Sequence, residues 1–194
     1  MTSTPRVPRT ELTGFSGTLV RTLTRRMLGA VPEPAEVMWH YPAVVKDVSA
    51  LGRKAGRWNR LDPNLKSFAH MAVASLIGCT WCLDFGYFHA HNEGLDEAKA
   101  REVPRWRESD AFTPLERRVM EYAEAMSQTP PTVTDALSAD LLQELGAPAM
   151  VELTSWVGFA NMSSRANVAL GIEAQGFAAA CELRPLARPA EDVA

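Results

Sequence analysis

The constraint that most limits the fold of this chain is its punctuation: proline and glycine fall at helix ends, and no stretch keeps up a period-two alternation. Asp62-Pro63 sets a capping carboxylate before a proline at the first helical position. Thr113-Pro114-Leu115-Glu116 does the same with threonine and adds a glutamate three residues after the cap. Between such signals the apolar residues recur at helical spacing, as Leu19, Val20, Leu23, Met27 and Leu28 do, or Leu115, Val119, Tyr122, Ala123 and Met126. The pattern predicts an all-α domain of about six to eight helices. Helices are expected over 15–28, over 34–51 with Pro42 bending or splitting it, from Asp62 toward Gly78, and from the cysteines to Asn92 or Gly94. Others are expected over 96–103, from Thr113, over 135–145, and over 148–171.

A single domain over 16–183 is expected, flanked by a Pro/Thr/Ser-rich arm over 1–15, mobile or strapped onto a neighbour, and a loose tail over 184–194. The formal charge of −3 gives no electrostatic reason to bind nucleic acid or an anionic membrane. No apolar run is long enough to span a bilayer, and the first residues lack the apolar core of a secretion signal, so a cytoplasmic location is expected.

Reactive chemistry concentrates in Cys79-Thr80-Trp81-Cys82; the third cysteine, Cys181, stands alone. Two thiols three apart can be a redox dithiol, half of a zinc site, or small apolar core residues. Zinc is the weaker reading, because there is no second Cys-x-x-Cys and His89 and His91, two apart, point to opposite sides of a helix. At about 100° per residue, Cys79, Cys82, Gly86 and His89 share one side of the helix the dithiol opens. His70, nine residues before Cys79, would point away if its helix continued straight. Asp84 and Glu93 read as solvated or capping acids, and Trp81, Phe85, Tyr87 and Phe88 as core or as the wall of an apolar pocket.

The stretch from Leu65 to Gly94, with Gly78-Cys-Thr-Trp-Cys-Leu-Asp84, resembles the core of the carboxymuconolactone decarboxylase and AhpD-like alkylhydroperoxidase family. The stretches Phe112-Thr-Pro-Leu-Glu-Arg117, Val151-Glu-Leu-Thr154 and 161–171 agree with its second half. The resemblance covers about residues 37–175. It implies an all-helical fold, a homo-oligomer (trimer, hexamer or dimer), and reduction of a hydroperoxide with an external thiol reductant and no cofactor or metal. Carried over, Cys82 attacks and Cys79 resolves. The family's proton relay has a glutamate and a histidine where this chain has Ser67 and Gly86, so either His89, one turn further on, replaces the lost base or the peroxidase activity is weak. The resemblance also admits a lactone decarboxylase that does without the dithiol, and a non-catalytic oligomeric redox sensor or scaffold. A buried pair of Glu152 with Arg165 across a subunit contact is expected to be structural.

Overall fold

The capping signals stand where helices begin. In the computed structural model, which describes residues 5–189, these are α1 (Gly14–Leu28), α2 (Glu33–Met38), α3 (Pro42–Gly56), α4 (Pro63–Ile77), α5 (Thr80–Asn92), α6 (Glu97–Glu102), α7 (Pro114–Ser127), α8 (Asp135–Leu170) and α9 (Phe177–Ala180). There is no strand among the described residues. The Asp62 carboxylate accepts the N–H groups of Asn64 and Leu65 at 2.8 and 3.3 Å. Thr113 and Glu116 close a reciprocal capping box at the head of α7.

Helix α4 is the centre of the bundle. Its Phe68, Ala69, Met71, Ala72 and Val73 expose nothing to solvent. Three small residues, Ala69, Ala72 and Ala74, let α5, α7 and α8 pack closely around it. A buried ion pair fixes the next layer: Lys66 Nζ lies 2.9 Å from Glu152 Oε1 and donates to the carbonyls of Ala55 and Trp58. The other Glu152 oxygen accepts the N–H groups of Arg60 and Leu61. Burial alone would raise the Glu152 pKa, but the Lys66 and backbone hydrogen bonds outweigh it and hold the carboxyl below its ordinary value. The partner of Glu152 is therefore Lys66 of the same chain. Arg165 instead donates to the Ser127 carbonyl at 2.5 Å.

Pro42 splits the expected 34–51 helix in two by opening α3, and one boundary differs from the sequence reading: α3 runs through Gly52 to Gly56 rather than stopping before it. Within α8 the expected break between 145 and 148 falls at Gly146, whose φ of 75° and ψ of 161° are outside the helical region and kink the helix there. From residue 5 the N-terminal arm lies against its own chain. Arg6 donates to the carbonyls of Val168, Ala169 and Leu170, Arg9 pairs with Glu33, and Leu12 is buried against Trp39, Val31 and Val45. Likewise Ala187 N–H bonds to the Arg101 carbonyl and Leu186 packs on the core, so the tail is held as far as it is described. The remaining residues of both expected flanks lie outside the described residues.

Helix α1 turns its apolar stripe outward. Phe15, Leu19, Leu23 and Met27, at a spacing of four, are all more than half exposed. The helix instead approaches the chain through Gly17, where an added Cβ would fall 2.5 Å from the Leu12 carbonyl carbon.

Candidate functional site: a buried Cys79–Cys82 disulfide

The dithiol is placed by the turn between α4 and α5. Gly78 takes φ 78° and ψ 26°, a left-handed conformation that suits glycine. Its N–H bonds to the Ser75 carbonyl and that of Cys79 to the Ala74 carbonyl at 2.9 Å, so α4 ends in a Schellman motif. Cys79 is also the N-cap of α5, its Sγ accepting the Cys82 N–H at 3.2 Å. The two cysteines form a disulfide with Cα atoms 5.2 Å apart. Both are enclosed, Cys79 at 0% and Cys82 at 2% exposure, against Ala74, Trp81, Leu83 and Val168.

Among the described residues one polar side chain reaches the sulfurs. Asn167 of α8 is buried, and its Nδ2 lies 3.5 Å from Cys82 Sγ and 3.9 Å from Cys79 Sγ. An asparagine 85 residues downstream carries no mark in the sequence beyond lying in the stretch that resembles the family's second half. Val168, its neighbour, packs on the disulfide and also lines an open cleft of about 600 Å³ with Leu76, Ile77, Ser127 and Arg165. Val168 is thus the wall between that cleft and the sulfurs.

The opposite side of α5 is bound to the C-terminal segment. Asp84 Oδ2 accepts the N–H groups of Gln175, Gly176 and Phe177, and Oδ1 that of Ala178, at 2.7–3.1 Å. Asp84 is therefore a capping acid for α9, buried rather than solvated. Trp81 Nε1 donates to Gln175 Oε1 at 2.8 Å, and Thr80 Oγ1 accepts the Ala174 N–H. Phe177 lies edge-on to Trp81 and Phe85, which stack at 4.9 Å. Both residues between the cysteines hold this segment.

Of the histidines, His70 falls differently from expectation. His89 is exposed and its ring stacks on Phe85 at 6.5 Å. His70, expected to point away, faces α5. Its Cδ2 lies 3.6 Å from where a Cβ on Gly86 would be, and Met71 Cγ fills the same space at 3.1 Å. The straight-helix extrapolation fails because α4 stops at Ile77 and the chain doubles back at Gly78. His70 Nδ1 is buried with no hydrogen-bond partner, and the ring lies 5.7 Å from that of Trp156. Burial, with a smaller contribution from His89, pushes its pKa down to about 4, so the imidazole is neutral. Ser67 is half-buried on the same helix, one turn before His70, and Glu93 is an exposed residue at the end of α5. Cys181 is a free, half-buried thiol after α9. Among the described residues no three His, Cys, Asp or Glu side chains gather as a metal site, and no helix is long and apolar enough to cross a membrane.

Residues 42–125 match the model of the carboxymuconolactone decarboxylase family. The uncharacterized protein YnjA of Escherichia coli (strain K12) is 36% identical over 156 residues, 80% of this chain and 86% of that one. Among solved structures, an alkylhydroperoxidase AhpD core protein, peroxidase-related, from Ralstonia eutropha JMP134 superposes with a TM-score of 0.77 at 16% identity, over 90% of this chain and 94% of that one. The debrominase Bmp8, solved in complex with 2,3,4-tribromopyrrole, superposes with a TM-score of 0.75 at 19% identity, over 88% and 93%. With the helical hairpin, its Gly78 turn and its disulfide in place, the chain belongs to the carboxymuconolactone decarboxylase family and has the AhpD-like all-α fold.

Proposed function

We propose that this protein is a thiol oxidoreductase that reduces hydroperoxides through the Cys79–Cys82 pair. The observation that carries the reading is the disulfide closed within the first turn of α5, beside an amide donor. The Cys82 thiolate attacks the terminal oxygen of the hydroperoxide, breaking the O–O bond to give Cys82 sulfenic acid and an alkoxide that takes a proton. The Cys79 thiol then attacks the sulfenic sulfur, releasing water and closing the disulfide. An external dithiol returns two electrons and two protons. Asn167, nearer Cys82 than Cys79, supports Cys82 as the attacking sulfur, while the Cys82 N–H directed at Cys79 steadies negative charge on that sulfur as it loses its proton to resolve the sulfenic acid.

The enclosed, apolar setting of the sulfurs favours a small apolar hydroperoxide reaching them through the cleft behind Val168. The same thiolate could attack a halogen, as the likeness to a debrominase suggests. We place the protein in the reducing cytoplasm, where such a pair is reset. We also propose that a second copy covers the exposed stripe of α1, since four aligned apolar side chains are poor solvent surface.

The test is consumption of cumene hydroperoxide by the dithiol-reduced protein, set beside Cys82→Ser and Cys79→Ser. Loss of turnover in both variants, with one sulfenic acid trapped per chain in Cys79→Ser, is the expected result. Equal rates in wild type and Cys82→Ser would end the reading. Turnover of a brominated pyrrole but not the peroxide would move it to dehalogenation.

A further inference from the structure

A buried imidazole nitrogen without a partner costs about 1–3 kcal/mol, and native structures hold few such groups. His70 Nδ1 is one. Its place narrows what it does. The ring stands on α4 against the side of α5 that carries Cys82, at Gly86, one helical turn beyond the cysteine. Residues one turn apart on a helix have Cβ atoms about 5–6 Å apart. The ring edge thus lies one turn along that face from the Cys82 side chain, and a Cβ at position 86 would crowd Met71 Cγ at 3.1 Å and touch His70 Cδ2 at 3.6 Å.

Other groups around the ring do not supply a proton acceptor. Trp156 of α8 covers one side; behind it the Lys66 ammonium, 4.9 Å from the Trp156 ring, is neutralised by Glu152. From α5 the titratable neighbour is His89, which is exposed and stacked on Phe85. Among the described residues no carboxylate is bonded to His70 Nδ1 to hold the ring charged.

We propose that His70 is the proton-carrying partner of the dithiol, neutral when the pair is oxidised and cationic when it is reduced. This rests on the thiol oxidoreductase reading above. Reduction of the disulfide takes up two electrons and two protons; one proton stays on Cys79 as thiol and the other goes to His70, leaving Cys82 as thiolate. The charge pair so formed raises the imidazole pKa and lowers that of the thiol. When the thiolate breaks the O–O bond, His70 gives its proton to the leaving alkoxide and returns to the neutral form. Cys79 thiol and Cys82 sulfenic acid then yield disulfide and water.

Imidazole nitrogen and proton shifts of the ¹⁵N-labelled full-length protein, followed against pH before and after dithiol reduction, test this without any turnover. His70→Gln and His89→Gln assign the resonances. The expected result is a His70 pKa more than one unit higher in the reduced protein, with Cys82 alkylation by iodoacetamide at pH 7 about tenfold slower in His70→Gln. A His70 titration that is the same in both redox states overturns the proposal. So does an alkylation profile that moves in His89→Gln and not in His70→Gln. Should His70→Gln fail to fold, the wild-type comparison decides alone. Failure of peroxide turnover with a redox-linked His70 titration would sink the peroxidase reading and leave this one standing.

Discussion

The two sides of α5 are built differently. Toward the C-terminal segment, Asp84 fills both carboxylate oxygens with four backbone N–H groups, and Thr80 and Trp81 add one hydrogen bond each. Toward α4, the same helix presents an enclosed disulfide and a glycine that meets His70, whose Nδ1 has no partner. A side tied down by six hydrogen bonds holds position; a side with spare proton and electron capacity can change state. The lesson is that the helix is clamped from one face so that the other can be left under-satisfied.

The largest effect is expected from removing the clamp. Asp84→Ala strands four N–H groups, that of Phe177 buried and the others half-buried, and should cost about 3–5 kcal/mol in urea unfolding, with Asp84→Asn intermediate because it keeps one acceptor. A loss below about 1 kcal/mol would erase the contrast between the two sides.

Next comes Gly86→His, which restores a histidine to the helix face but drives its Cβ to 3.1 Å from Met71 Cγ. Overpacking of this kind costs about 1–3 kcal/mol. A variant as stable as wild type and faster in turnover would show that the α4 side has room for a relay on α5.

The acid response should be dominated by His70. Its folded pKa of about 4 lies below the ordinary value of 6.5. Above pH 6.5 both folded and unfolded states hold it neutral. Between 6.5 and about 4 the unfolded chain takes a proton that the folded protein refuses, so stability falls as the pH drops through that window. Urea midpoints at pH 7 and pH 5 should diverge less in His70→Asn than in wild type; equal divergence would mean that the ring is not held neutral.

A smaller change is expected from Val168→Ala, which thins the wall between cleft and sulfurs. It should cost about 1 kcal/mol and speed iodoacetamide reaction of the reduced protein severalfold. An unchanged rate would mean reagents reach the sulfurs by another route.

The smallest effect is expected at Tyr87, whose buried hydroxyl also lacks a partner on the clamped side. Tyr87→Phe removes the unsatisfied oxygen and should be neutral or stabilising by up to about 1 kcal/mol. A large loss would reveal a role for the hydroxyl and blur the division between the sides.

The helices and their caps could be read from the residues because each signal is local: Asp62-Pro63, the Thr113 box, the Gly146 break and the cysteine-opened helix each act within a few positions. The site could be read only in part. Cys79 and Cys82 are close in sequence and were found there. Asn167 comes from another helix, and His70 reverses its apparent direction because Gly78 turns the chain back. Neither placement is encoded in spacing along one helix. The stripe of α1 was legible as an apolar face, but its outward direction was not, since periodicity marks such a face without saying what covers it.

Cys79 ends one helix and begins the next, and backbone hydrogen bonds on either side of it hold that corner independently of the sulfur link. The disulfide spans only three residues, at a Cα separation of 5.2 Å that one helical turn already provides. Opening it releases almost no chain, so the electrons stored there have little leverage on shape. On the proposed thiol oxidoreductase reading, a partner that distinguishes the two redox forms does so by charge and nucleophilicity at the sulfurs. The corner would then act as a contact switch rather than a lever.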